Sequence, residues 1–153
     1  MPSEYVKLEI LGEPMGKQRP RFSTYNGFVK THTPKETTNY ESKVVFDYKQ
    51  QHQEMFFNHG SQISAHIIAY FQIPKSHYKY HKKTNTIDLD KAGEQMRDNL
   101  ICPTKKPDCD NIAKICLDAL NGIAYPDDSQ IVELFVEKRY SEEPRVIITL
   151  HEV

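Results

Sequence analysis

The segment KPDCDNIAKICLDALNGIAYPDDSQI, residues 106–131, concentrates four acidic groups that can act together. Asp108 and Asp110 stand one residue apart, Lys114 follows Asp110 by four, and the pair Asp127–Asp128 closes the segment. In an extended stretch residues i and i+2 point the same way, so Asp108 and Asp110 are expected to converge. Two ionised carboxylates sharing one point repel each other, and a shared proton or a divalent cation relieves the repulsion. Asp127 and Asp128, returned by a turn at Tyr125-Pro126, offer a third ligand. An oxygen-only donor set without histidine or cysteine suits Mg²⁺ or Mn²⁺ better than Zn²⁺. A plainer reading uses the same residues, because an aspartate N-cap with lysine four residues on is ordinary helix design and Asp-Asp after proline is an ordinary turn. Calcium of the EF-hand kind is excluded, since a loop starting at Asp108 has Ala113 where glycine is needed and Ala119 where glutamate is needed.

A helix must position these groups. Ile112, Ile115, Cys116, Ala119, Leu120 and Ile123 recur at the spacing of one helical face and predict a helix over about 111–121, with Asp110 as N-cap and Gly122 ending it. Asp110, Lys114 and Asp118 then share the face opposite the apolar stripe, so the lysine stands over the carboxylates and Asp118 serves as its orienting partner.

The ordered elements KPDCDNIAK, DALNG and DDSQI resemble the signature of the RusA family of Holliday junction resolvases. The N-terminal GEPMGKQRPRF and the tract ending THTPKETTNYE are similar to the opening of many members, so the resemblance spans most of the chain. It implies a small homodimeric, Mg²⁺-dependent endonuclease, with Mn²⁺ as a possible substitute, that cuts four-way DNA junctions symmetrically and leaves 5′-phosphate and 3′-hydroxyl ends. By position, Asp108, Asp110 and Asp128 match the metal-binding acidic residues and Lys114 the essential lysine. Some members carry arginine immediately before the first aspartate; here Pro107 stands there, with the positive charge at Lys106.

A net charge of -1 does not by itself suggest a polyanion as partner. Distribution matters more. Between residues 15 and 35 lie Lys17, Arg19, Arg21, Lys30 and Lys35 without one acidic residue, and a second run holds Lys75, Lys79, Lys82 and Lys83 interleaved with His77, Tyr78, Tyr80 and His81. The second run reads most simply as a solvated loop. For the first, the family likeness favours phosphate contact, and Lys17, Arg19, Arg21 and Lys106 are the expected DNA-binding residues. GEPMGK is not a P-loop, because three residues separate its glycines and Gln18 follows the lysine. Cys102, Cys109 and Cys116 lack C-x-x-C spacing and are expected as thiols, with Cys116 in the core. His77 and His81 have i, i+4 spacing but no third ligand nearby. No membrane-spanning run or leader is recognised, so a cytoplasmic protein with no membrane partner is expected.

With 153 residues, one domain is expected over 1–153. Its elements read as a strand near 6–11, an extended or hairpin segment at 21–29, and a helix capped by Thr33-Pro34-Lys35-Glu36 running to about 56, with Tyr40, Val44, Tyr48 and Met55 inward. A strand follows at 62–73. Residues 76–102 show no clear period and are expected to hold a short helix and a loop, in which Asp88 and Asp90 are solvated or capping. Strands at 131–140 and 145–152 are expected to form a β-hairpin. The fold class is therefore α+β, a mixed β-sheet covered by two or more helices.

The expected chemistry is metal-assisted phosphodiester hydrolysis in DNA recombination and repair, with Lys114 either stabilising the transition state or protonating the leaving oxygen. A four-way junction has approximate two-fold symmetry, so one cluster per chain calls for two chains. The rivals are a catalytically silent junction-binding protein and a structural domain whose aspartates only cap a helix.

Overall fold

The computed structural model describes residues 4–153; Met1 to Ser3, within the stretch read for a leader, lie outside the described residues. The chain runs β1 (Tyr5–Leu11), β2 (Arg21–Tyr25), β3 (Phe28–His32), α1 (Lys35–Gln51), β4 (Ile63–Gln72), β5 (Tyr78–His81), β6 (Thr86–Leu89), α2 (Lys91–Arg97), α3 (Cys109–Leu120), β7 (Ile131–Ser141) and β8 (Arg145–Glu152). Alternation in β1, β4 and β8 sends Val6, Leu8, Ile10, Ile63, Ala65, Ile67, Val146, Ile148 and Leu150 to one face of a four-stranded sheet, where they are buried. Tyr40, Val44 and Tyr48 of α1 and Ile112, Ile115, Cys116 and Leu120 of α3 complete the same core. This is the α+β, mixed-sheet architecture that the sequence predicts.

Sheet order is β1-β8-β4-β7, with β8 antiparallel to both β1 and β4 and β7 parallel to β4. The expected hairpin of the last two strands is therefore wrong in its pairing, although both strands exist. β4 lies between them, pairing with β7 on one edge and β8 on the other, a long-range arrangement that the local turn at 141–144 cannot specify. A parallel pair needs a long crossover, and α3 lies on the one joining β4 to β7. The helix carrying the acidic signature is thus held against the sheet by topology as well as by its apolar stripe.

Three further expectations change. α1 begins at Lys35 behind Pro34 with no side-chain cap, so Thr33 is not its N-cap, and the helix stops at Gln51. The chain reverses there through His52 and Gln53, the latter at φ 65°, which leaves Met55 exposed and not in the core. Residues 76–102 hold the expected short helix, α2, capped by Asp90, which accepts from Gly93 N at 2.7 Å, but in place of a loop β5 and β6 form a second hairpin. That hydrogen bond, with His77 beside the carboxylate, holds Asp90 below the usual aspartate range. His77 faces Asp90 and His81 faces Asp88, each at 3.1 Å, so neither histidine presents a metal-binding pair.

Candidate functional site

α3 starts two residues earlier than its apolar spacing indicates. Asp108 is the N-cap residue, extended at φ −73° and ψ 158° and without a side-chain cap bond, and Asp110 lies inside the first turn. One aspartate is outside the helix and the other within it, so the two do not share the extended segment on which the i, i+2 expectation rested. Asp108 lines a groove of about 500 Å³ with Lys17, Arg19, Lys106 and Asn111, whereas Asp110 lines a neighbouring cleft of about 400 Å³. Asp110, Lys114, Asp118 and Asp128 share that cleft, walled on its apolar side by Leu117, Ile131, Val132 and Leu134.

Asp128 reaches the cleft through a connection pinned at several points. Gly122, at φ 77°, turns the chain out of α3, and its N–H donates to Tyr125 O at 2.9 Å. Tyr125 is fully buried and its hydroxyl donates to Leu117 O at 2.6 Å; burial, reinforced by the negative charges of Asp128 and Asp118, pushes this phenol far above its ordinary value. Asp127 then accepts from Ser129 N at 3.2 Å and from the Ser129 hydroxyl, while Asp127 N donates to Gln130 Oε1 at 3.1 Å, a reciprocal capping box. The Ser129 hydroxyl and amide hold the Asp127 carboxyl below the usual range. The two neighbours thus divide their work: Asp127 fixes the turn, and Asp128 faces the cleft.

The lysines divide likewise. Lys114 is exposed at the cleft and makes no ion pair among the described residues. Asp118, expected as its partner, instead lies 3.3 Å from Lys17, which also meets Glu41 at 2.7 Å. Burial opposes the charge on Lys17, but its hydrogen bonds and attraction to Glu41 and Asp118 prevail and raise its pKa above the ordinary lysine value. Lys17 is therefore a tie between the N-terminal segment, α1 and α3, and it also lines the groove that holds Arg19 and Lys106. Arg19, Arg21 and Lys106 remain exposed. Gly16 sits so close to the signature that a Cβ there would lie 2.7 Å from Pro107 Cβ and 3.1 Å from Asn111 Cβ, and Lys17 N donates to Asn111 O at 2.9 Å. The two motifs that look alike to the family are hence one packed unit, and no local spacing announces that contact.

Cys116 is buried as expected, and burial pushes its thiol up to about 12. Glu133 also lines the cleft and was not anticipated. β7 takes one extra residue against β4 between Ile131 and Glu133, a bulge set by strand pairing. Among the described residues no three His, Cys, Asp or Glu side chains stand close enough together to hold a metal ion, so Asp108, Asp110 and Asp128 do not form a closed three-ligand cage. A hard cation that keeps most of its waters needs only one or two carboxylates plus substrate phosphate, and Asp110 with Asp128 in one open cleft fits that lesser demand.

α1 and α3 thus cover one face of the mixed sheet, and the acidic cleft beside α3 carries a lysine that makes no ion pair among the described residues. The sequence matches the family model described as "Endodeoxyribonuclease RusA" over residues 12–151, and the chain belongs to the RusA endodeoxyribonuclease family. It is also 36% identical over 148 residues to "Uncharacterized protein YqaN" of Bacillus subtilis (strain 168), covering 97% of this chain and 96% of that protein. No helix among the described residues is long and apolar enough to cross a membrane.

Proposed function

We infer that the protein is a Mg²⁺-dependent endonuclease that resolves four-way DNA junctions, acting as a homodimer in recombination and repair. The observation that carries this reading is the convergence of Asp110, Lys114 and Asp128 on one cleft in a chain of the RusA family. Asp110 and Asp128 would hold the ion, with Asp108 at the adjoining groove as the third carboxylate once DNA is bound. When bound, the ion supplies Lewis-acid polarisation of the scissile phosphate and a more acidic water. Lys114 contributes its ammonium to the same cleft, where it offsets negative charge on the phosphate or gives a proton to the departing oxygen. Arg19, Arg21 and Lys106 would hold flanking phosphates, a sequence-independent grip that weakens with salt. Two-fold substrate symmetry calls for two such clefts, hence two chains.

The spread of the three aspartates over two grooves favours, as second reading, a junction-binding protein without catalysis. One experiment separates them. A synthetic four-way junction and a linear duplex of matching sequence are incubated with wild type, Asp110→Asn and Lys114→Ala, with and without Mg²⁺. The nuclease reading predicts junction-selective cuts that need Mg²⁺ and fall at least about a hundredfold in both variants, the scale of losing one charge-stabilising group. Junction binding with no cuts under any condition would leave the silent binder.

A further inference from the structure

The β2–β3 hairpin stands apart from the core: every residue of both strands is exposed. Its Asn26-Gly27 turn, at φ 49° and 78°, has the left-handed pair of dihedrals that closes a tight two-residue hairpin. Register then sorts its side chains. Arg21 faces His32, Ser23 faces Lys30 and Tyr25 faces Phe28, and these six residues share one face because cross-strand partners point the same way. That face carries cations from base to middle and two aromatic rings at its tip, Tyr25 at 71% and Phe28 at 74% exposure. The opposite face bears Phe22, Thr24, Val29 and Thr31.

A two-stranded ribbon with no sheet behind it is marginal in water, and exposed rings do not stabilise it by burial. The β5–β6 hairpin supplies the contrast. There Lys79 stands opposite Asp88, His81 is 3.1 Å from the same carboxylate, and Asp90 at the base is tied to α2, so an acid stands among the strand cations, although Lys82 and Lys83 at the turn make no ion pair among the described residues. In β2–β3 no acid stands in either strand, and neither Arg21 nor Lys30 makes an ion pair among the described residues. Its base is nonetheless fixed beside the candidate site: Lys17 is tied to Glu41 and Asp118, Gln18 N donates to Thr37 Oγ1 at 3.3 Å, and Arg19 lines the groove that also contains Asp108 and Lys106.

We propose that the β2–β3 hairpin is a DNA-gripping arm in which Arg21, Lys30 and His32 meet phosphates while Tyr25 and Phe28 stack on bases left unstacked at a branch point. The inference rests on the junction reading above and extends it to the part of the substrate engaged. Unmatched cations select a polyanion over an apolar protein surface, and paired exposed rings select single-stranded or unstacked bases, whose π-faces are hidden in a continuous duplex. The arm therefore discriminates branched from linear DNA without reading sequence.

The test uses the full chain in metal-free buffer, a four-way junction carrying 2-aminopurine beside the branch point, and a linear duplex carrying it at the same position. Wild type is expected to change the 2-aminopurine emission in the junction and leave the duplex signal unaltered. Tyr25→Ala/Phe28→Ala loses that change and about tenfold or more in junction affinity, with an unchanged salt slope, whereas Tyr25→Phe/Phe28→Tyr keeps both. Arg21→Ala/Lys30→Ala retains the emission change in saturated complex and flattens the salt slope by about two. The proposal is overturned if the double alanine variant binds the junction within about twofold of wild type with the emission change intact. It is equally overturned if that variant dissociates an oligomer without DNA, which would make the tip a protein contact, or if wild type binds no junction at all. Parallel assays with Mg²⁺ keep the two readings separable. Cutting that survives unaltered in the aromatic variant sinks the arm alone; lost binding in a protein that never cuts sinks the nuclease reading alone.

Discussion

The signature segment and the β2–β3 arm are constructed on opposite terms, although both carry exposed charge. α3 buries Ile112, Ile115, Cys116 and Leu120 in the main core, and its exit loop is fastened by Tyr125, Gly122 and the Asp127 capping box. The arm buries nothing, and a tight turn and one ladder of backbone bonds define it. Placing chemistry demands the first arrangement, because a carboxylate or ammonium displaced by even about 1 Å loses much of its effect. Gripping a flexible, branched polymer tolerates the second.

Core truncation is the strongest way to sharpen this contrast. Leu120→Ala is expected to lower unfolding free energy by about 2–5 kcal/mol, since it opens a cavity at a fully buried site, while Tyr25→Ala/Phe28→Ala changes it by no more than about 0.5 kcal/mol. Denaturant titration of the two variants measures both. A large stability loss from the tip substitutions would show that the arm packs on the body and would erase the distinction.

A smaller effect is expected at the tie between the two regions. Lys17→Met removes both ion pairs and leaves Glu41 and Asp118 half-buried without their cation, a cost of about 1–2 kcal/mol near neutral pH. The folded state raises the pKa of Lys17 above its ordinary 10.5, so its contribution is complete below that value and disappears as pH rises through the higher folded one. The stability gap between wild type and Lys17→Met should stay level from pH 6 to 9 and close only in strongly alkaline solution. A gap that narrowed between pH 6 and 9 would contradict this account of the tie.

Much of this was legible in the sequence where local rules decide the outcome. The apolar stripe of α3, the alternation of β4 and β8, and the placing of Lys114 on the exposed face and Cys116 in the core follow from periodicity alone. Features that depend on distant partners were not. Lys17 stands in an acid-free tract and looks free until Glu41 and Asp118 arrive from two helices. β7 and β8 look like a hairpin until β4 inserts between them, and the bulge before Glu133 exists only in that pairing. The start of α3 shifted because apolar spacing marks where a helix buries its side chains, and says little about the polar turn preceding them. That shift separates Asp108 from Asp110 and is the largest change to the candidate site.

Adjacent aspartates provide the most direct check on the central claim, because Asp127 and Asp128 share charge, turn and solvent but face different tasks. Cleavage of a four-way junction in Mg²⁺ is measured for Asp127→Asn and Asp128→Asn under identical conditions. If the cleft performs the chemistry, Asp128→Asn loses about a hundredfold or more while Asp127→Asn, whose amide oxygen still caps the turn, stays within a few fold of wild type. Equal losses in both variants, or a larger one at Asp127, would contradict that assignment.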